Sequence, residues 1–388
     1  PACRQAGESE AMKPFPMVWA EINLSALKNN VRVIRKMLKK PGVKIMAIVK
    51  ADAYGHGMKP IARVLNRQGI RFFGVANIDE AVELQRTCPG ARILVLGTFH
   101  STQLPLYFKQ RILPTISCLE DAENVERFMR QKGGVFPVHV KIDTGMGRLG
   151  VWHEDCVDFF HDLLNFKHLK VDGIYTHFFS ADRKEAIFTD LQIHRFNQAV
   201  QVARHLGIEP RVLHASNSMG LVRFKQAHLN LVRPGIILYG IDPGNENKLM
   251  KGLQPVLTLK TRISFIKETG KDRTMSYGAT YLTTKKTRIA TLPIGYSHGY
   301  RVGFSNKASV IIRGKTCPVV GRVTMDQTLV DVGHLPGVKR WDEVTLIGGE
   351  NGSGVTAQDL ADLIGTIPYE ISCAIHSSIP RIYRNSTK

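Results

Sequence analysis

Residues Lys44–Met58 read KIMAIVKADAYGHGM, a buried-type strand followed at once by a glycine-rich turn. The apolar run does not alternate with polar residues, which is typical of a parallel strand covered on both faces. It ends at Lys50, where parallel α/β folds place their chemistry. Burial there favours the neutral amine, a nucleophile toward carbonyl groups, while Tyr54 and the turn amides suit a phosphate. The alternative is a lysine that simply reaches solvent, and this stretch alone leaves both open.

The same alternation of strand and helix continues on the carboxyl side of this stretch. A helix is predicted over Glu21–Leu38, on the amino side of this stretch, and seven more helical patterns separate the strands that follow. The strand-like runs are Lys44–Lys50, Phe72–Asn77, Ile93–Gly97, Ile112–Ser117, Pro137–Asp143, Leu169–His177, Arg211–Ser216 and Leu231–Leu238. Eight strand–helix units predict a closed (β/α)₈ barrel of the TIM type, and an open doubly wound sheet is the alternative.

The pattern changes near residue 250, where short strand-like segments separated by turn signals take over. They predict a mostly β second domain that ends in a short helix over Ala357–Ile364. The fold class is therefore α/β, with the barrel over residues 12–250 and a β domain over residues 251–388. Residues 1–11 are polar and precede Met12, so we interpret them as a leader or remnant.

Composition limits the classes of function. The chain has 388 residues, 43% of them hydrophobic, and a net charge of +20. The Lys and Arg residues are interpreted as solvated helix faces, because no nucleic-acid motif accompanies them, so no specific nucleic-acid partner is expected. Six cysteines without C-x-x-C spacing fit a reducing, cytoplasmic setting, and no apolar run reaches membrane-spanning length. His153–Cys156 is metal-like only in composition and is interpreted as a helix start, so no metal is predicted.

Polar residues gather where the predicted strands end, and a barrel brings those ends to one rim. They are Lys50, Asn77, Ser117, Asp143, His177, Ser216, Asn217 and Arg233. Any one of them alone can be a loop cap.

Four further stretches carry candidate chemistry. The stretch KIDTGMGRLG, residues 141–150, ends a strand in a glycine-containing turn. Arg148 follows in this turn, and its guanidinium offers hydrogen-bond donors suited to a phenolate or carboxylate. Ser216–Ser218 places hydroxyls at a helix start, which fits an anion or an ordinary cap. Arg233 lies inside an apolar run and needs a partner or a ligand. Tyr277, in SYGATY, can act as a general acid or base when a cation lies beside it, although a packing role is the simpler interpretation.

Five motifs in order resemble the alanine racemases, which use pyridoxal 5'-phosphate and combine a (β/α)₈ barrel with a β domain. The resemblance runs from about residue 14 to the end of the chain. The motifs are AIVKADAYGHG at 47–57, KIDTGMGRLG at 141–150, RPGIILYG at 233–240, SYGATY at 276–281 and PVVGRVTMDQ at 318–327.

The resemblance implies a role for each candidate residue. Lys50 would hold the cofactor and act as one base, and Tyr277 of the partner subunit in a head-to-tail homodimer would be the opposite base. Arg148 and the partner's Met325 would bind the substrate, Lys141 would be the lysine that the family often carbamylates, and Tyr281 and Tyr296 would flank the access path. The cofactor-binding set would be Lys50, Tyr54, Arg148, His177, Asn217, Ser218, Arg233, Gly235 and Ile236.

The implied reaction is conversion of L-alanine to D-alanine for peptidoglycan. Two bases on opposite faces serve the two enantiomers, and Arg233, which only donates hydrogen bonds, would leave the pyridine nitrogen unprotonated. Ser377 stands where many alanine racemases have a pocket-narrowing tyrosine, so a racemase acting on serine or a broader range is the alternative. A non-catalytic cofactor carrier is less consistent with a second domain that brings Tyr277 and Met325.

Overall fold

The computed structural model describes residues 15–243, 250–350 and 353–385, so the predicted leader at 1–11 lies outside the described residues. The chain forms two compact units, which we call the barrel unit and the β unit. The barrel unit contains Glu21–Thr258, Thr356–His376 and the stretch from Tyr383, and the β unit contains the described residues up to Ala20 together with Leu259–Val355 and Ser377–Ile382.

The first element is a strand, β1 Val18–Asn23, and helix α1 follows over Leu24–Met37. The predicted helix start at Glu21 is therefore wrong. The side chain of Asn23 ends the strand and caps the helix, because its Oδ1 accepts hydrogen bonds from the backbone amides of Ser25 at 3.0 Å and Ala26 at 2.9 Å.

The barrel unit has a strand at each of the eight predicted runs, although the last run, Leu231–Leu238, is strand only at Leu231–Val232 and is helical from Ile236. Together with one additional short strand, these strands are β2 Lys44–Ile48, β3 Phe72–Val75, β4 Arg92–Val95, β5 Thr115–Ile116, β6 Phe136–Asp143, β7 Val151–Trp152, β8 Leu169–Tyr175, β9 Val212–His214 and β10 Leu231–Val232. Parallel pairing gives the orders β10-β2-β3-β4 and β5-β6-β8-β9, with β7 added to β6. A parallel bridge between Leu94 and Leu113 joins the two runs on one side. On the other side the Arg233 amide donates to the Ser216 carbonyl at 3.0 Å, which closes the ring and confirms the barrel.

Helices surround this ring of strands. Apart from α2, a short left-handed segment, they present apolar faces inward. They are α2 Lys50–Gly55, α3 Met58–Arg67, α4 Ile78–Thr87, α5 Leu104–Gln110, α6 Leu119–Lys132, α7 Cys156–Leu163, α8 Ile187–His205 and α9 Ser218–Arg223. Among the described residues no helix is long and apolar enough to cross a membrane.

The β unit is mostly strand, as predicted. Its strands, some of which extend past the unit's limits, are β11 Leu257–Arg262, β12 Phe265–Thr269, β13 Thr274–Met275, β14 Tyr281–Leu282, β15 Thr287–Leu292, β16 Ser309–Ile312, β17 Lys315–Pro318, β18 Thr328–Asp331, β19 Glu343–Glu350, β20 Ser353–Val355 and β21 Arg381–Arg384. The largest sheet has the order β17-β16-β19-β11-β1-β21, with β20 on β19. Smaller antiparallel sheets are β12-β15-β18 and β13-β14.

Two late helices, α10 Ala357–Ile364 and α11 Pro368–Cys373, belong to the barrel unit although they follow the β strands in sequence. The single division predicted at residue 250 is therefore too simple. The physical reason is close packing against the turn after β2: a Cβ added at Gly55 would lie 2.2 Å from the Ser372 carbonyl oxygen.

Candidate active site

A cavity of about 310 Å³ lies in the barrel unit at the carboxyl ends of the strands. Nine of the predicted site residues line it: Lys50, Tyr54, Lys141, Arg148, His177, Asn217, Ser218, Arg233 and Gly235. Ile236, the tenth predicted residue of this unit, is fully buried behind Gly235 and is not part of the lining. Tyr369 of α11 adds an aromatic wall that the sequence analysis did not assign.

The backbone after β2 is a turn of left-handed helix. Ala51, Asp52, Ala53 and Tyr54 have φ values between 51° and 55°. Each such residue costs about 1–2 kcal/mol, because its Cβ approaches the following carbonyl oxygen. Strain of this kind persists only where the surroundings impose it, and it clusters at functional sites.

Glu80 on α4 secures this turn. Its Oε1 accepts a hydrogen bond from the amide of Ala51 at 2.7 Å, and its Oε2 accepts one from the amide of Ala76 at 2.8 Å. Asp52 adds an acceptor for the amide of Met58 at 2.7 Å. Carboxylates thus hold the turn that Lys50 begins, one at its first amide and one at the start of the helix that follows it.

Lys50 is half-buried at the cavity wall. Burial is the main cause that lowers the pKa of its amine, and the positive charge of Arg148 lowers it further. Glu80 opposes both effects by favouring the ammonium form. The net result is a lysine with more neutral amine at neutral pH than an exposed one, as its proposed chemistry requires.

Arg233 is buried, and no carboxylate in the described part of the chain pairs with it. Its NH1 donates to the Nδ1 of His214 at 2.9 Å and to the carbonyl of the same residue at 2.8 Å, and its NH2 donates to the carbonyls of Thr176 at 2.7 Å and Ala215 at 2.9 Å. Burial lowers the pKa of the guanidinium to about 10, so it stays charged. Four of its five N–H groups are occupied, and among the described residues none accepts from the remaining Nε–H.

A polar corner lies next to this arginine. The backbone amide of Gly235 donates to the Ser218 hydroxyl at 3.0 Å. A Cβ at Gly235 would lie 2.5 Å from the Tyr54 hydroxyl, so only glycine leaves this corner open. Asn217 both lines the cavity and caps α9, since its Oδ1 accepts from the Gly220 amide at 2.9 Å.

The KIDTGMGRLG stretch is shaped by its aspartate. Asp143 accepts from the amides of Gly145 and Met146 through Oδ1, both at 2.8 Å, and from the amide of Arg148 through Oδ2 at 3.1 Å. This carboxylate folds the turn that brings Arg148 to the cavity, so it has a structural task.

Lys141 precedes that turn on β6 and is only 4% exposed. Burial, followed by the charges of Arg148 and Arg233, lowers its pKa to about 8. More of this amine is therefore neutral near neutral pH than of an exposed lysine. His177 is held neutral by the same means, since burial and then Arg233 lower its pKa well below the usual value.

The two predicted residues of the β unit are strongly exposed. Tyr277 is 70% exposed and Met325 is 55% exposed. Tyr277 follows Ser276, whose φ of 64° is unusual for a non-glycine residue, in a short helical turn over Tyr277–Ala279. Such strained backbone is one way to present a side chain outward. Neither residue is part of the cavity lining within the barrel unit.

Sequence reasoning missed the residues that hold others in place. Glu80 and His214 contact cavity-lining residues directly, and His139 and then Asp172 follow behind His214. The inward-pointing histidines within two apolar strands, VHVKID and VLHAS, were the available signal, because a buried histidine needs a hydrogen-bond partner. Among the described residues, no group of three or more His, Cys, Asp or Glu side chains is placed to hold a metal ion.

Two protein-family models match this chain. The model described as alanine racemase, N-terminal domain, matches residues 22–243, and the one described as alanine racemase, C-terminal domain, matches residues 256–383. The chain belongs to the alanine racemase family.

Individual relatives agree over nearly the whole length. The alanine racemase of Halothermothrix orenii is 41% identical over 367 residues, which cover 95% of this chain and 97% of the relative. The solved alanine racemase of Clostridium difficile 630 has a TM-score of 0.90 at 34% identity and covers 96% of this chain and 97% of its own. A solved alanine racemase from Bartonella henselae, described as carrying covalently bound pyridoxal phosphate, has a TM-score of 0.87 at 26% identity, with 95% of this chain and 99% of its own covered. Members of the family are isomerases. Separately, five cysteines among the described residues of this chain carry free thiols.

Proposed function

We propose that this chain is an alanine racemase that interconverts L- and D-alanine with pyridoxal 5'-phosphate and supplies D-alanine for peptidoglycan. The observation that carries the proposal is the cavity in which Lys50, Arg148, Ser218 and Arg233 converge at the mouth of the barrel. The family match and the relatives named alanine racemase support the same activity.

The cavity fits the cofactor at three places. Lys50 offers an amine of lowered pKa for the aldehyde carbon. Tyr54, Ser218 and the amides at Gly235 and Ile236 form the corner that would hold the phosphate, where a Cβ at Gly235 would take up the space. The uncommitted Nε–H of Arg233 would donate to the pyridine nitrogen, and His177 would pack by the ring. Asn217, which caps α9, completes this wall.

Bound pyridoxal phosphate supplies an electron sink for the charge left when the substrate Cα loses its proton. Arg233 donates hydrogen bonds without releasing its protons, so it would leave the pyridine nitrogen unprotonated and the electron sink weak, which would limit side reactions. Arg148 would orient the substrate carboxylate. The amine of Lys50 would take the Cα proton on one face, and the Tyr277 phenol would return a proton on the other.

We further propose that Tyr277 and Met325 reach the site from the partner subunit of a head-to-tail homodimer. Their exposure of 70% and 55% in the single chain supports this arrangement, because both side chains are accessible to a second subunit. The two-base reaction would then need two chains for each active site.

Two single variants test the bases. Lys50→Ala should abolish racemisation and the visible absorbance of covalently held cofactor, whereas Tyr277→Phe should retain the cofactor and lose most of the turnover. Retained visible absorbance in Lys50→Ala, or near-normal turnover in Tyr277→Phe, would remove the corresponding assignment.

A heterodimer of the two variants tests the sharing of sites. When the Lys50→Ala chain and the Tyr277→Phe chain carry different tags and are purified together, one of the two shared sites is intact, so about half of the wild-type activity should return. If each site used only its own chain, both sites would be defective and no activity would return. The two homodimers are the matched controls.

A further inference from the structure

A continuous file of buried side chains runs down the barrel interior from Arg233. His214 on β9 accepts from Arg233 through Nδ1 at 2.9 Å, and its Nε2 lies 2.9 Å from the Nδ1 of His139 on β6. The Nε2 of His139 in turn faces Oδ2 of Asp172 on β8 at 3.8 Å, which is longer than a hydrogen bond but leaves the carboxylate as the polar group that this nitrogen faces. All four side chains are almost completely buried.

The ends of this file fix the position of every proton in it. A guanidinium only donates, so Nδ1 of His214 must be without a proton, and a neutral ring then carries its proton on Nε2. That proton points at Nδ1 of His139, which must accept it and carry its own proton on Nε2, toward Asp172. The reverse direction would require His214 to lack both ring protons, which is an imidazolate.

The protonation of both rings agrees with this direction. Burial lowers the pKa of His139 and lowers that of His214 well below its usual value, with the charge of Arg233 acting on both. Both rings are therefore neutral, as the tautomer argument requires.

Two arginines hold the far end of the file. Asp172 is fully buried, and its Oδ1 accepts from Nε of Arg211 at 2.6 Å while its Oδ2 accepts from Arg92. Burial alone would raise the pKa of this carboxyl, but the N–H of His139, the hydrogen bonds from Arg211 and Arg92 and the charge of Arg92 together hold that pKa well below its usual range, so the carboxyl remains an anion. An acceptor-only group thus faces the proton on Nε2 of His139.

The surrounding residues leave one place for each ring. Gly173 lies beside His139, and a Cβ there would come within 2.5 Å of its ring atoms, so the glycine makes room for the histidine. Tyr175 stacks on His214 with ring centroids 4.7 Å apart and planes 6° from parallel. Neither ring can turn over without displacing a neighbour.

We propose that Asp172 and His139 are positioning residues that hold His214 in its Nε2–H tautomer and thereby aim Arg233 at the cofactor. Without them His214 is free to carry its proton on Nδ1, and a donor would then face the NH1 donor of Arg233. The guanidinium would shift, and the N–H left for the cofactor nitrogen would shift with it. Only this last step rests on the proposed function, because the tautomers belong to the chain itself.

The tautomers can be read directly by ¹⁵N NMR of the imidazole nitrogens in histidine-labelled protein, first without pyridoxal phosphate and then with it. We expect Nδ1 of both His139 and His214 to show the shift of an unprotonated nitrogen, and Nε2 of both to show that of a protonated one. A protonated Nδ1 on His214 in the wild-type chain overturns the proposal, whether or not the chain racemises alanine.

Two variants of similar size separate positioning from packing. His139→Asn keeps an acceptor near the place of Nδ1, and His139→Leu removes it. The Leu variant should weaken cofactor binding by about tenfold or more, as is typical when an outer partner of a site is lost. It should also release His214 from its single tautomer and lower kcat more than it raises KM, while the Asn variant should retain the wild-type behaviour.

Equal cofactor affinity and equal His214 shifts in the Asn and Leu variants would overturn the positioning role. If the Leu variant fails to fold, the wild-type spectrum still decides the tautomer. A racemisation assay that fails while the predicted tautomers are found would count against the proposed function and leave the positioning of Arg233 standing.

Discussion

Lys141 is the residue whose surroundings most alter its chemistry. A buried amine with a pKa near 8, beside Arg148 and Arg233, is a nucleophile that gains a compensating negative charge if it adds CO₂. We therefore predict that Lys141 is carbamylated, with the carbamate oxygens accepting from Arg148. In ¹³C-bicarbonate the wild-type chain should show a carbamate resonance that is missing in Lys141→Met.

Racemase activity should depend on the carbamylation of Lys141. Lys141→Met should lower alanine turnover because Arg148 loses its anchor, while the cofactor remains bound through Lys50. The pKa argument also sets the pH range: the amine becomes less available as the pH falls below about 8, so the carbamate signal should weaken toward acidic pH. A full signal in Lys141→Met would assign the resonance to another lysine.

Ser377 is the residue on which the substrate range depends in our interpretation. It lies in the exposed segment that follows α11, and it stands where many alanine racemases have a tyrosine. We predict that the Cα hydrogen of L-serine exchanges measurably in deuterated solvent. NMR would compare this exchange for alanine, serine, lysine and arginine. Ser377→Tyr should reduce the serine-to-alanine ratio, and an unchanged ratio would show that this position does not set the range.

At the scale of elements, the left-handed turn α2 is the segment most dependent on its neighbours. Its four residues store strain that only outside contacts can offset, and Glu80 supplies one of those contacts at Ala51 while it also accepts from the amide of Ala76 after β3. Glu80→Ala should lower the free energy of unfolding by about 1–3 kcal/mol, because two backbone amides lose their acceptor. It should also weaken cofactor binding, since Lys50 begins the turn.

Glu80→Gln is the matched control for this prediction. It retains one carbonyl acceptor and the size of the side chain, so it should fall between the wild type and Glu80→Ala in both chemical unfolding and cofactor titration. If Glu80→Ala unfolds at the wild-type denaturant concentration and binds the cofactor equally well, the turn is held by other contacts.

The elements also show what sequence could and could not predict. Strand and helix periodicity located the barrel strands, because it is a local pattern. Four of the eight predicted strand-end residues, Lys50, His177, Asn217 and Arg233, line the cavity, whereas the other cavity residues were named from the motifs and the family resemblance. The left-handed turn was missed because Ala51 and Ala53 have no local preference for positive φ, and tertiary contacts impose it. Asp172 and Glu80 were missed because their partners are distant in sequence. The return of α10 and α11 to the barrel unit is likewise a matter of packing.

At the scale of the whole molecule, the basic residues are not as evenly spread as predicted. No Asp or Glu occurs between Glu21 and Asp52, and the basic residues there concentrate on α1 and the segment after it. Two adjacent hollows of the barrel unit share Arg35, and no carboxylate lines either of them. Their other basic lining residues are Lys28, Arg32, Lys36, Lys39, Lys40, Lys44, Arg71 and Arg92. This basic face concentrates much of the net charge of +20 on one side of the unit.

We predict that the basic face binds polyanions without sequence preference and only at low salt. Binding of this kind releases counterions, so the logarithm of the association constant should fall linearly with that of the salt concentration, by about 0.9 per phosphate contact on duplex DNA. Arg32→Glu with Lys36→Glu, one helical turn apart, should lower the salt needed for elution from heparin and reduce that slope. Lys285→Glu with Lys315→Glu in the β unit makes the same change in net charge and should matter less. If both pairs of substitutions shift the elution salt equally, the net charge of the whole chain acts diffusely. If binding survives physiological salt and prefers one sequence, the basic face recognises a specific nucleic acid.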